Sequence, residues 1–299
     1  MKVVYGHTDS IYVTIPSVNE AKELCKHLNS HVQSLFPNLL EFDEHPVQLE
    51  FEKYYQSLGV GVKKNRNAGL VSWEDGVYLD KPKFTMTGYM AKRVSETKLA
   101  KEHQTKVLKM WASENTKGEI SNFCRKRYNE IKDGNTPLKE LVDWKRVREN
   151  RLSVRCPDCR NQHSIQNIVD MPNCECGTSK TFFTTLDKKS PSIGSHISGA
   201  LWYYSNFNEM PDSVHFIKIK PGNLSWIHPI TGLSRKLEWL AAPTYDRLIE
   251  LIERFKVSIN YLHYADVIVK KSQPVFDAME WEINPVKLDI RQKTLDEWF

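Results

Sequence analysis

The chain has 299 residues, 40% of them hydrophobic and 26% charged, with a formal net charge of +5. This length holds two ordinary domains, or one domain with a large appendage, and the balance is that of a soluble globular protein. No apolar run approaches the ~20 residues a membrane span needs, and the N-terminus lacks a signal peptide's apolar core, so a cytoplasmic location with no membrane partner is expected. The mild basic excess permits a nucleic-acid partner. The six cysteines are too sparse for a disulfide framework, and four of them cluster, which favours a metal over bridges.

In chain order, Lys2–Val4 and Ile11–Val13 are β-prone segments flanking a glycine-containing tip, which predicts a hairpin. Ser17 and Glu20 stand at capping-box spacing, and Ala21, Leu24, Cys25, Leu28, Val32 and Leu35 then recur at helical period up to a stop at Pro37. Val47, Leu49 and Phe51 alternate with Gln48, Glu50 and Glu52, predicting a strand with one acidic face. Further strands are expected over Val62–Val71 and Gly76–Thr87, separated by a turn at Glu74-Asp75-Gly76. Helix is predicted from Ser95, with Leu99, Ala100, Val107, Leu108 and Trp111 on one side. A basic helical stretch then follows through Arg125, Lys126, Arg127, Lys145, Arg146 and Arg148. The segment 151–180 lacks helical periodicity and reads as an insert. Val214–Lys220 reads as a short strand, Thr244 as the cap of an apolar helix bearing Leu248, Leu251, Ile252 and Phe255, and the residues from Pro285 as a polar tail. The fold class expected is α+β.

Two groups of residues carry chemistry. Cys156-Pro-Asp-Cys159 can aim two thiolates at one ion, and Cys174-Glu-Cys176-Gly177 supplies a second pair. Four sulfurs at about 2.3 Å suit a structural Zn2+, and a small insert without a core of its own needs such a staple. The second pair is Cys-x-Cys, and His163 can substitute for one ligand; reduced buried cysteines are the other reading. Arg151, Arg155 and Arg160 then stand ready for DNA. The second group begins with Lys2-Val-Val-Tyr-Gly-His-Thr-Asp-Ser10. This string resembles the Tyr-Gly-Asp-Thr-Asp-Ser hairpin of family B DNA polymerases, in which the second aspartate holds catalytic metals. Asp9 matches that aspartate, and His7 stands in place of the first.

The resemblance continues in order along the chain. Leu49-Glu-Phe-Glu-Lys-Tyr-Tyr55 is similar to the palm strand that follows, where an acidic residue lies near the metals; Glu52 matches it best and Glu50 shares its face. Val62-Lys-Lys-Asn-Arg-Asn-Ala-Gly-Leu70 resembles the Lys-Lys-Lys-Tyr-Ala stretch beside the primer–template, implying phosphate contacts by Lys63, Lys64 and Arg66, with Asn67 in the tyrosine position. Thr87-Gly88 and Arg93 resemble the start of the thumb, although Met90, Val94 and Ser95 depart from the pattern. Gly194-Ser195-His196 loosely resembles a Gly-Pro-His core and implies a DNA-contacting His196. At the end, Gln292, Leu295, Trp298 and Phe299 fit the peptide that such polymerases dock into a sliding clamp.

The resemblance therefore implies a C-terminal palm portion over 1–87 and a thumb over 88–284. The thumb would carry a zinc-ribbon-like insert at 151–180, and a clamp-binding tail would occupy 285–299. The family's other essential aspartate and its fingers lysine belong upstream of the hairpin. The chain is therefore expected to be the small subunit of a split polymerase. A larger subunit would bring exonuclease, fingers and the rest of the palm, and the two would complete a Mg2+ site acting on primer–template DNA and deoxynucleoside triphosphates. The alternative is a non-catalytic palm-and-thumb accessory protein that binds DNA and recruits the clamp. A free-standing zinc-ribbon DNA-binding protein is a third reading, opposed by the ordered series of motifs.

Overall fold

The computed structural model describes residues 2–6, 10–89, 91, 96–147, 153–164, 167–168, 171–183 and 193–288. Its strands are β1 (Lys2–Gly6), β2 (Ile11–Thr14), β3 (Lys53–Val60), β4 (Asn67–Glu74), β5 (Val77–Thr87), β6 (Asp143–Arg146), β7 (Ser153–Arg155), β8 (Gln162–Ser164), β9 (Ser213–Lys218), β10 (Ser225–Ile227), β11 (Ser234–Lys236) and β12 (Trp239–Ala242). Its helices, in chain order, are α1 (Val18–Leu35), α2 (Lys98–Ala112), α3 (Lys117–Lys132), α4 (Leu138–Leu141), α5 (Ser195–Phe207), α6 (Tyr245–Arg254) and α7 (Tyr261–Ala278). The class is mixed α+β, with every sheet small and antiparallel. No described helix is long and apolar enough to cross a membrane.

The chain forms two compact units, the first comprising 1–92, 103–125 and 269–299. In it the hairpin β1–β2 pairs Lys2 with Thr14 and Gly6 with Ile11, with an irregularity between Val3 and Tyr5. Helix α1 starts where the capping box places it, because the Ser17 hydroxyl accepts the Glu20 N–H at 3.2 Å. The meander β3-β4-β5 has β4 in the middle, and so Ala68, Val71 and Trp73 are buried there. Asp75 and Gly76, with φ of 49° and 91°, make the tight β4–β5 turn whose positive φ values an Asp-Gly pair tolerates. On β3, Gly59 lies flat under Trp111 of α2, where an added Cβ would fall 2.4 Å from the indole. Ser57 donates to the Ala112 carbonyl from the same strand. Farther along, His103 Nε2 lies 2.8 Å from Ser272 Oγ, and Cys124 Sγ 3.3 Å from the same hydroxyl, tying α2, α3 and α7 by a buried polar cluster.

The second unit comprises 93–102 and 126–268. Its sheet has the order β12-β9-β6. Helix α5 packs on it through Gly199, whose missing side chain lets Ala241 and the Trp239 carbonyl approach. The Thr244 hydroxyl caps α6 by accepting from the Arg247 N–H at 3.2 Å, and Leu248 and Leu251 are buried below it. Lys145 and Arg146 lie on β6 and not on a helix: pairing with Val214 and Ser213 of β9, a non-local contact, overrides their local preference.

Two other expectations are corrected. Residues 47–52 form no strand. The Asn29 side chain of α1 takes both backbone groups of Leu49, donating to its carbonyl at 2.8 Å and accepting its N–H at 2.6 Å. The groups a ladder would use are thus spent, and β3 begins only at Lys53. Likewise Val62–Arg66 is the loop between β3 and β4, with Asn65 at φ 61°. The strands β10–β12 and helix α7 were not expected from the sequence; each is short or interrupted in its apolar pattern, α7 containing Pro274.

Candidate functional site

Four tyrosines attach the N-terminal hairpin to the three-stranded sheet. The Tyr5 ring lies 5.6 Å from Tyr12, and Tyr12 lies 6.1 Å from Tyr55 of β3. Burial raises the Tyr12 hydroxyl above its ordinary range, against a hydrogen bond to Asn67 that lowers it. Tyr54 donates to the backbone carbonyls of Ile15 and Pro16 at 3.2 and 3.0 Å. Tyr5 donates to Asn65 Oδ1 at 2.7 Å and accepts the Asn65 N–H at 3.0 Å. The hairpin and the 61–66 loop are therefore one ordered surface. His7 and Asp9, between the two strands, lie outside the described residues.

That loop carries the predicted cations. The Gly61 N–H closes its base on the Arg66 carbonyl at 2.8 Å. Lys63 and Lys64 are exposed, whereas Arg66 is half-buried, its guanidinium 5.9 Å from the centre of the Tyr89 ring. Gly88, at φ +73°, is the other anchor: an added Cβ would fall 1.9 Å from the Asn65 carbonyl oxygen, so only glycine fits. Beside it Tyr89 is buried, which pushes its hydroxyl up to about 12. Glu50 and Glu52 are both exposed, in the segment before β3, where the Glu52 carbonyl accepts the Asp75 N–H at 3.0 Å.

The remaining candidates separate. His196 is only 7% exposed and packs 5.8 Å from Phe216, inside the second unit's core and not on its surface. Arg93, Gln292, Leu295, Trp298 and Phe299 lie outside the described residues.

In the second unit, Cys156, Cys159, Cys174 and Cys176 bring their sulfurs within 4.8 Å of one another. Cys156 and Cys176 are 3.6 Å apart and Cys159 and Cys174 3.4 Å. A tetrahedral ion with 2.3 Å bonds needs sulfurs about 3.8 Å apart, so the set fits a metal such as zinc. Two turns build it. The first folds back through the Arg160 N–H onto the Cys156 carbonyl at 3.1 Å, with Arg160 at φ 63°. The second does so through the Gly177 N–H onto the Cys174 carbonyl at 2.8 Å. The Thr178 hydroxyl, 3.1 Å from Cys176, and the Thr178 backbone N–H hold that thiol down to about 6. The strands β7 and β8 support the first turn by pairing Ser153 with Ser164 and Arg155 with Gln162.

The profile of DNA polymerase family B matches residues 1–154, which is more than half of the 299-residue chain. The chain belongs to DNA polymerase family B. A DNA polymerase of Archaeoglobus fulgidus is 31% identical over 144 residues, a stretch making up 48% of this chain and 16% of that polymerase. The chain thus aligns with well under two thirds of that relative.

For a family B chain the limits of the match are informative. The hairpin, Glu50, Glu52, Lys63, Lys64, Arg66 and Arg93 fall inside it, and the four cysteines, His196 and the tail fall outside. Sequence reasoning missed the tyrosine set and Asn65; alternate tyrosines on facing strands were the available signal. It also missed Thr178 and Asp158 beside the cysteines, 2.5 Å apart, for which no spacing rule gives notice.

Proposed function

We propose that this chain supplies the C-terminal palm portion (1–87) and the thumb (88–284) of a family B DNA polymerase. It would act as the small subunit of a split enzyme with a larger chain carrying exonuclease, fingers and the remaining palm. One observation carries the reading: the family match covers residues 1–154 and so includes the Tyr5-to-Ser10 string, which resembles the family's metal-binding hairpin. In the reaction a primer 3′-hydroxyl attacks the α-phosphorus of a deoxynucleoside triphosphate, and pyrophosphate leaves. A Mg2+ held at this site would supply activation of the hydroxyl and neutralisation of the leaving group. Asp9 is the residue of this chain that would hold it, with a carboxylate from the larger subunit; Glu52, then Glu50, are the further acidic candidates that the resemblance names. Hard oxygen donors suit magnesium, and a histidine at position 7 does not.

The exposed Lys63 and Lys64, on a loop pinned by Tyr5 and Gly88, fit phosphate contacts to the primer–template. Arg66 and Arg93 are assigned phosphate contacts as well. His196 is assigned to holding the second unit's core. The four-cysteine cluster takes structural Zn2+ in the 151–180 insert. The tail 285–299 docks on a sliding clamp through Gln292, Leu295, Trp298 and Phe299, and its removal should abolish clamp binding measured by calorimetry.

The test mixes the purified chain with the complementary polymerase chain and follows Mg2+-dependent primer extension. Extension is expected only in the mixture. Asp9→Asn should lower it more than about a hundredfold, as expected for a metal-bridging carboxylate. A mild effect would rule out the assignment. The second reading, a non-catalytic accessory, is favoured by His7 in the family's first aspartate position. Under it the wild-type mixture would be inert while DNA and clamp binding persist.

A further inference from the structure

The metal cluster has a fifth potential donor that stands apart from the other four. His163 Nε2 lies 3.3 Å from Cys174 Sγ. Among the described residues the set of mutually close donor atoms nevertheless contains the four sulfurs and not His163, and four sulfurs already fill a tetrahedral ion. Its ring is also held in place. His163 sits on β8 opposite Val154, and it stacks on the buried Phe183 at 5.2 Å and 13° between planes.

The sulfurs' hydrogen bonds say what that position is for. Cys156 and Cys174 are the two buried ligands. A buried thiolate needs donors to replace the water it has lost. Cys156 receives two backbone N–H groups, those of Cys159 and Asp158. Cys174 receives one, from Cys176. His163 Nε2, 3.3 Å from the Cys174 sulfur, stands where a further donor to that thiolate would stand. On a metal-bound Cys174 thiolate the facing nitrogen must carry the proton, so Nε2 donates.

We propose that His163 is a positioning residue, not a ligand: its Nε2–H donates to the Cys174 thiolate of a four-sulfur zinc site and slows release of the ion. This rests on the reading that the cluster holds zinc. Partners of this kind raise metal retention by about 10–100-fold elsewhere.

The test uses the full-length protein purified with zinc, and three variants separate donor, stack and ligand roles. His163→Gln keeps an N–H donor and loses the stack. His163→Phe keeps the stack and loses the donor, and His163→Ala loses both. Zinc content, the rate of zinc transfer to a chromophoric chelator and the visible spectrum of the cobalt(II)-substituted protein are measured for each. The expected result is one metal per chain and an unchanged four-sulfur cobalt spectrum throughout. Transfer should be 10–100-fold faster for Phe and Ala and close to wild type for Gln. The proposal is overturned if the Phe variant transfers zinc at the wild-type rate. It is overturned equally if the cobalt bands shift or metal is lost from the Phe variant, because His163 is then a ligand. Wild-type protein without metal sinks the zinc reading itself, whereas metal-loaded wild type with a normal Phe variant sinks only the role of His163.

Discussion

The hairpin-and-meander region, residues 2–89, and the cysteine region, 153–183, solve the same problem by different physics. Both must order short strands. The first does so with aromatic area and paired backbone: four tyrosines join β1–β2 to β3, and β4 is buried between two neighbours. Its loops are held by single-residue constraints such as Gly88 under Asn65. Among its described residues the second has two three-residue strands and few buried apolar side chains, Val154, Ile168 and Phe183 among them. So small a core does not offset the entropy of ordering its chain. On the proposed zinc reading its order resides in the four sulfurs, and stability there should be a property of the metal, whereas in the first region it is spread over many contacts.

Stripping the metal tests that contrast most severely. Structural zinc contributes apparent binding free energies of about 10–16 kcal/mol in small domains. Chelation, or Cys174→Ser, should therefore abolish ordered structure over 153–183. Hydrogen exchange should rise there to the unprotected rate while β3–β5 stay protected. Equal loss in both regions would mean that they do not differ in this way. Gly88→Ala is the matching cut in the first region. A β-carbon at φ +73° and 1.9 Å from a backbone oxygen costs about 1–2 kcal/mol for the conformation and about 1–3 more for the displaced loop. Thermal unfolding should register that loss, with zinc retention unaffected.

What was legible in the sequence follows from how local its cause is. Helix α1 and the β4–β5 turn were readable because Ser17, Glu20, Asp75 and Gly76 act within four residues of their effect. The cysteine quartet was readable because two short spacings bring each pair together. The acidic strand was misread because its fate depends on Asn29, twenty residues earlier, which takes the Leu49 backbone. Lys145 and Arg146 were misread for the same reason, their strand partners lying near residue 214. Alternation and charge report a surface preference; they do not report which distant side chain arrives first.

The smallest expected effect is the most discriminating for the proposed DNA contacts. Tyr5→Phe removes one hydroxyl, which gives one hydrogen bond to Asn65 and takes another, and leaves the ring against Tyr12. Two such bonds at a partly exposed site are together worth about 1–2 kcal/mol, and the fold should survive. What changes is the order of the 61–66 loop, and with it the placement of Lys63 and Lys64, whose charges are untouched. Primer–template affinity should fall by about three- to tenfold, but its dependence on salt should keep the same slope, because the number of phosphates neutralised is unchanged. Lys63→Ala or Lys64→Ala should instead reduce that slope by about one each. Affinity titrated at several salt concentrations distinguishes the two behaviours. If Tyr5→Phe and both lysine variants bind as the wild type does, this loop does not touch DNA, and the ladder of tyrosines serves the hairpin alone.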